Sequence, residues 1–467
     1  MARFVMAGNR SGPSGDGSRQ LVEAAYRRLF PASSRITEQA PQTKRYRLLF
    51  ECEATEVASK VRELPTGISV EPEILHTPAT PLEVFVQSET GQPIEHVRVV
   101  AVLESTAAQV ESEGLSDARG CFRVVVADGF QASFVSATPA SDYWWSWDHV
   151  ASRSVVVLRC DSLPTGPIGW WHEAVGAHGV DLRRGSGIRV GVIDTGISRH
   201  ACLPYVIRVG TFQEGEIHSY RPNLGYELHG THVAGLIGAL PIRASSFVGI
   251  APAVELYSAD VFHSKMQAGQ IDLANAIDLL ASNHRVHLIN MSFGATVPST
   301  ILHDAILDAI DEGAVCVCAT GNDAGAANYP AAWPEAVAVG AVGIQGWGPS
   351  NSVTRHQSVV PAYRIGNAGL YSPIFSCCDD AMIIAPGVGI ISTVPSNLGN
   401  DRFGELSGTS MAAPIACGTI AAVLSSTAGY RESDAQTRVQ AVSRIVDSGR
   451  SIGLDRRFEG KGVLSLP

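Results

Sequence analysis

The sequence predicts an α/β protein built on a parallel sheet with helices on both faces, preceded by a small α/β unit and a β-sandwich. Three observations predict it. From about residue 168 onward, apolar strand patterns alternate with helical ones, the mark of a parallel sheet. Between Leu82 and Ala127, short apolar runs are separated by glycine and proline turns, the pattern of a sandwich. Of the 467 residues 45% are hydrophobic and 17% charged, enough for a large core and too little charge for a disordered chain. At roughly 100–200 residues per domain, that length implies two to four domains.

The elements follow in order. Gly8 to Gly17 is rich in glycine and serine, so residues 1–18 read as a flexible leader. Gln20 to Phe30 repeats apolar residues at helical spacing and stops at Pro31. Tyr46–Cys52 reads as a strand, Thr55–Leu64 as a short helix and Ile68–Leu75 as a second strand. Together they define a unit over 19–78, ending near His76-Thr77-Pro78. Strands at Leu82–Val86, Val97–Leu103 and Phe122–Ala127 place the sandwich over 79–160. Its turns at Thr90–Pro93 and Ser116–Gly120 resemble those of the prealbumin-like, carboxypeptidase-regulatory type of module. Asp142–Asp148 and Trp170-Trp171 hold five of the seven tryptophans. Packing at this module's end or at its seam with the next domain is favoured for them over an aromatic binding platform. Leu163–Ile168 is the expected linker, and 161–467 the last domain.

Composition excludes some functions. A net charge of -10 lacks the electrostatic footprint of a nucleic-acid binder. The nine cysteines follow no framework spacing and form no CxxC pair, so buried free thiols are expected rather than disulfides or zinc. The N-terminal apolar run Phe4–Ala7 is too short for a signal peptide, and Met411–Leu424 is too short to span a bilayer. The expectation is a soluble cytoplasmic protein without a membrane partner, with export by another route left open.

Three segments carry chemistry. Ile188–Gly196 is an apolar strand run ending in Asp194 and a glycine turn, and ligand groups in parallel sheets sit past the carboxyl ends of strands. A turn-capping aspartate is the equal alternative. His229-Gly-Thr-His232 opens a segment of small residues suited to a helix packed closely on the sheet. Its two histidines lack a third ligand at metal spacing, so His232 is read as making a buried supporting hydrogen bond. In Ser407-Gly-Thr-Ser410 a glycine turn leads into a helix with Ser410 at its first turn. There the backbone N–H groups favour a developing oxyanion, although an ordinary serine N-cap has the same look.

With Asp194, His229 and Ser410 in that order and in these surroundings, about residues 165–467 resemble the subtilisin-like serine proteases. Leu288–Gly294, Cys318–Asn322 and Ala385–Gly387 add to the resemblance. It implies a serine endopeptidase acting through an acyl-enzyme. Ser410 is the nucleophile, His229 the general base and Asp194 its partner. The Asn322 side chain and the Ser410 N–H form the oxyanion hole. Substrate binds as an extended strand along Ser292, Phe293 and Gly294 on one side and the stretch around Gln267-Ala268-Gly269 on the other. No cofactor is required for catalysis; structural calcium is a family habit that the sequence does not decide. Family members commonly carry an inhibitory propeptide, and residues 44–77 resemble part of one. Residues 1–160 are therefore expected to regulate or chaperone the enzyme, by intramolecular inhibition among other routes. The rival reading is a latent or non-catalytic recognition protein on the same fold.

Overall fold

The structure is a computed structural model describing residues 2–8, 11, 16–31, 34–38, 47–72, 80–106, 108–127, 129–220, 227–262, 267–376, 381–395 and 401–467. Met1–Ala79 and Thr80–Pro467 are separate compact units.

The first unit contains β1 (Ala2–Gly8), α1 (Asp16–Leu29), β2 (Ser34–Glu38), β3 (Arg47–Cys52), α2 (Ala54–Lys60) and β4 (Ile68–Pro72). They form one βαββαβ unit with sheet order β2-β3-β1-β4. The expected leader over 1–18 is thus corrected. β1 pairs antiparallel with both β3 and β4, and alternate residues Phe4 and Met6 are buried under α1 residues Val22, Ala25 and Tyr26. A run of four apolar residues is weak evidence alone, and becomes a central strand only when two partners flank it. The helix also starts at Asp16 rather than Gln20. Residues 12–15 and the expected boundary at His76–Pro78 lie outside the described residues.

The sandwich contains β5 (Thr80–Ser88), β6 (Arg98–Glu104), β7 (Gln109–Leu115), β8 (Cys121–Val126), β9 (Gln131–Thr138), β10 (Ser146–His149) and β11 (Val155–Cys160). Its two sheets run β10-β9-β6-β7 and β11-β5-β8, and their alternating inward residues Val84, Val99, Val135 and Leu158 make the core. The Ser116–Gly120 turn is held as its residue types suggest, with Asp117 accepting the N–H groups of Arg119 and Cys121 at 2.9 Å each.

The remainder contains α3 (Trp170–Ala174), β12 (Arg189–Asp194), β13 (Ile207–Gln213), β14 (Glu216–His218), α4 (Leu228–Gly238), β15 (Glu255–Asp260), α5 (Gln270–Asp278), β16 (Leu288–Met291) and α6 (Thr300–Asp311). It continues with β17 (Val315–Ala319), β18 (Val337–Ile344), α7 (Val353–Gln357), β19 (Leu370–Tyr371), β20 (Ile383–Pro386), β21 (Ile390–Thr393), β22 (Phe403–Leu406), α8 (Thr409–Ser425), α9 (Ala435–Asp447) and α10 (Arg456–Glu459). The sheet order is β14-β13-β15-β12-β16-β17-β18-β19, with β20 also on β18. β13, β15, β12, β16, β17, β18 and β20 run parallel, and β14 and β19 are antiparallel additions. Both faces are covered. Val190, Val192 and Val317 pack with α4 and α8; Ile193, Ile289, Cys316 and Cys318 pack with α5 and α6. The seven described cysteines are free and buried. Among the described residues no helix is long and apolar enough to cross a membrane.

The expected boundary at 160/161 does not separate two bodies, because the sandwich is packed into the same unit as the parallel sheet. Trp144 is buried edge-on against Trp347 at 5.4 Å, and Trp171 packs on Phe247 at 5.2 Å. Trp144 and Trp147, which lies 4.3 Å from His356, thus pack across the seam, whereas Trp171 packs inside the last region.

Candidate active site

Asp194 ends β12, in the middle of the sheet, and α4 begins beside it. The close approach depends on Gly230, where an added Cβ would stand 2.2 Å from the Gly196 carbonyl oxygen. Gly230 N–H also donates to the Thr195 hydroxyl at 3.0 Å. This packing brings His229 Nδ1 to 2.8 and 3.0 Å from the two carboxylate oxygens of Asp194. Burial pulls the imidazole pKa down, but the charge and hydrogen bond of Asp194 more than offset it, and the net shift is upward. Asp194 is 2% exposed and His229 28%, so the pair has a buried end and an open one.

His232, one turn on, is different. Its Nε2 donates to the carbonyls of Ile390 and Gly404 at 3.0 and 3.2 Å, and burial, opposed by those bonds, pushes it down to about 3. It is a neutral tie between α4 and the hairpin of β21 and β22, as its sequence context suggested. With His229 Nδ1 spent on Asp194 and His232 Nε2 on carbonyls, the two rings are not arranged as a metal pair. No group of three or more His, Cys, Asp or Glu among the described residues is placed to hold a metal ion.

Ser410 stands in the first turn of α8. Its hydroxyl donates to the Ser292 carbonyl at 3.0 Å, and the Ser292 hydroxyl donates to the Ser410 carbonyl at 2.9 Å. The second bond has a cause in the sequence. Pro414 has no N–H, so the carbonyl four residues earlier, that of Ser410, lacks its helical donor and takes one from Ser292. Asn290, fully buried, donates in turn to the Ser292 hydroxyl at 3.0 Å. Asn322 lies on the loop after β17. Its Oδ1 accepts from the N–H and hydroxyl of Thr409 at 3.0 and 3.1 Å, which fixes the amide beside Gly408 and leaves Nδ2 as the free end.

Asp194, His229 and Ser410 line one cleft of about 430 Å³, together with Ser292, Phe293 and Gly294. Of the stretch 267–269, Gln267 and Ala268 line the cleft, while Gly269 caps α5 and is not part of the lining. Sequence reasoning missed the apolar wall formed by Phe262, Leu273, Leu302 and Tyr329. Phe262 follows β15, and Leu273 and Leu302 sit in first helical turns, so their position at the carboxyl edge of a parallel sheet was the available signal; Tyr329 lies on the loop between β17 and β18. Sequence reasoning also gave no role to Asn290, although that residue lies inside the Leu288–Gly294 run.

A model of the subtilase family matches residues 185–458. Subtilisin Savinase of Lederbergia lenta is 32% identical over 295 residues, 63% of this chain and 94% of that protein. M-protease of Shouchella clausii is 35% identical over 295 residues, 63% of this chain and 66% of that protein. Alkaline elastase YaB of a Bacillus species is 32% identical over 284 residues, 60% of this chain and 64% of that protein. The match thus spans just under two thirds of the last two.

Proposed function

The chain belongs to the subtilase family and is a subtilisin-like serine endopeptidase, and from that premise we propose that Asp194, His229 and Ser410 cleave peptide bonds as a triad through an acyl-enzyme. The observation that carries this reading is the contact of His229 Nδ1 with both Asp194 oxygens at the wall of the cleft that Ser410 also lines. A serine hydroxyl is a weak nucleophile until a neighbour takes its proton. His229 takes that proton when the hydroxyl turns from the Ser292 carbonyl to attack, and returns it to the leaving amine. Asp194 holds the ring with Nδ1 protonated and stabilises the imidazolium. Asn322 Nδ2 and the Ser410 N–H bind the oxyanion.

Substrate pairs its backbone with Ser292–Gly294. Phe262, Leu273, Phe293 and Leu302 support acceptance of a large apolar side chain on the acyl side. Residues 1–79, a unit separate from the rest, are the segment to which we assign restraint or chaperoning of the enzyme. Limited proteolysis that removes this unit then raises turnover.

A serine-reactive fluorophosphonate tests the triad. The wild-type chain is labelled and Ser410→Ala is not, with its fold unchanged. A wild-type chain that never labels, before or after limited proteolysis, sinks the reading and returns the protein to a latent recognition role.

A further inference from the structure

The hairpin of β21 and β22 touches three parts of the molecule at once. On one side it holds α4. The Ser392 hydroxyl donates to the His232 carbonyl and the Thr393 hydroxyl to the Thr231 carbonyl, both at 2.8 Å. At its end, β22 runs directly into Ser407, Gly408 and Thr409, and so into Ser410. On the other side lies the sandwich. Asp142 N–H donates to the Phe403 carbonyl and Asp142 pairs with Arg402, each at 2.8 Å. An added Cβ on Gly404 would stand 2.8 Å from the Ala140 carbonyl oxygen, so the two chains lie in direct backbone contact.

Glu405 is the unusual residue in this contact. It is 3% exposed, and a buried carboxyl is costly unless hydrogen-bonded. Its Oε2 accepts the Trp145 N–H of the sandwich at 3.1 Å, and its Oε1 meets the Thr354 hydroxyl of α7. Burial, opposed by the Trp145 N–H, pushes the carboxyl up to about 8. At neutral pH it therefore keeps its proton and acts as a neutral hydrogen-bonding group.

We propose that the β-sandwich is a working part of the catalytic apparatus, with Glu405 as the positioning residue through which it holds the hairpin that sets Ser410 against the helix of His229. The proposal rests on the triad reading above. The hairpin is the element shared by nucleophile and base, and catalytic groups tolerate little displacement: about 1 Å of misplacement costs on the order of 100-fold in rate. A sandwich that only decorated the enzyme would need neither a buried carboxyl nor a backbone N–H aimed at it.

The test uses the full chain, a chromogenic peptide and fluorophosphonate titration, so that kcat is expressed per reactive serine. Glu405→Ala is expected to lower kcat at least about 10-fold with KM within about two-fold, as misplaced chemistry rather than lost binding would do. Glu405→Gln, which supplies a carbonyl to Trp145 and an amide to Thr354, is expected to recover kcat to within about three-fold of wild type. Asp142→Ala, at the half-exposed rim of the same contact, lowers kcat by a smaller factor and carries the test if Glu405→Ala does not accumulate folded. Wild-type kcat in Glu405→Ala, a change confined to KM, or a Gln variant as impaired as Ala overturns the proposal; so does wild-type kcat in Asp142→Ala when that variant carries the test. Those outcomes leave the triad intact, whereas a wild-type chain that never labels overturns the triad and this inference with it.

Discussion

Asp194 meets His229 through both carboxylate oxygens, at 2.8 and 3.0 Å from Nδ1, from a position almost wholly closed to solvent. A charge so placed acts on the imidazole through little intervening water, so it is strongly felt. It favours the protonated ring against the burial that disfavours it.

The acid limb of activity should report that balance. A general base must be neutral, so kcat/KM falls as pH drops through the pKa of His229, which lies above the ordinary 6.5. Asp194→Asn removes the upward cause and leaves the burial, so the limb should move to lower pH. The rate itself should fall by on the order of 10⁴. A pH profile of kcat/KM for both proteins checks this, and a limb that stays in place or rises would count against it.

Asn322 is anchored by Thr409 through its oxygen, so its Nδ2 is held ready without reorganisation. Asn322→Ala should lower kcat by about 10²–10³, a range whose type example is a subtilisin, and leave KM nearly unchanged. Steady-state kinetics on one peptide substrate decide it. An equal loss in the extent of Ser410 labelling and in apparent kcat would indicate a folding defect instead.

Gly230→Ala puts a methyl group where the Gly196 carbonyl oxygen already sits, 2.2 Å away. Backbone is on both sides, so α4 must lift from the turn after β12. Overpacking of this kind costs about 1–3 kcal/mol, and here it also stretches the Asp194–His229 contact. Thermal unfolding should shift down, with kcat reduced beyond what the folded fraction explains. An active, equally stable variant would show that the helix approaches less closely.

Glu405 makes stability fall with rising pH. Its carboxyl is near 4.5 when free and pushed up to about 8 when buried. Folding therefore takes up a proton between those values, so this contribution is fullest below about 4.5 and is lost towards 8. Glutamine does not titrate. The melting temperature of Glu405→Gln should gain on that of Glu405 as pH climbs from about 5 to 8. Both proteins should carry Ser410→Ala to prevent self-cleavage. A constant difference across that window would place the carboxylate in contact with water.

Much of the site was legible because its parts are local. The strand ending in Asp194, the small-residue helix of His229 and the glycine turn before Ser410 are each short stretches whose residue types serve their own backbone. Pro414 shows the same logic, since its missing N–H is what frees the Ser410 carbonyl for Ser292. Which residues of the 267–269 stretch face the cleft was not legible for the opposite reason: it depends on where the next helix is capped, and Gly269 is that cap.

The sequence by itself determined the fold class, the order of the three regions and the residues proposed for the chemistry, since periodicity and turn composition are written within ten or twenty residues. Only the tertiary structure decided that Ala2–Gly8 is an inner strand, because that depends on partners near residues 50 and 70. It alone joined the sandwich to the protease. Trp145 and Glu405 are 260 positions apart, and a hydrogen bond between a backbone N–H and a distant buried carboxyl leaves no periodicity to read.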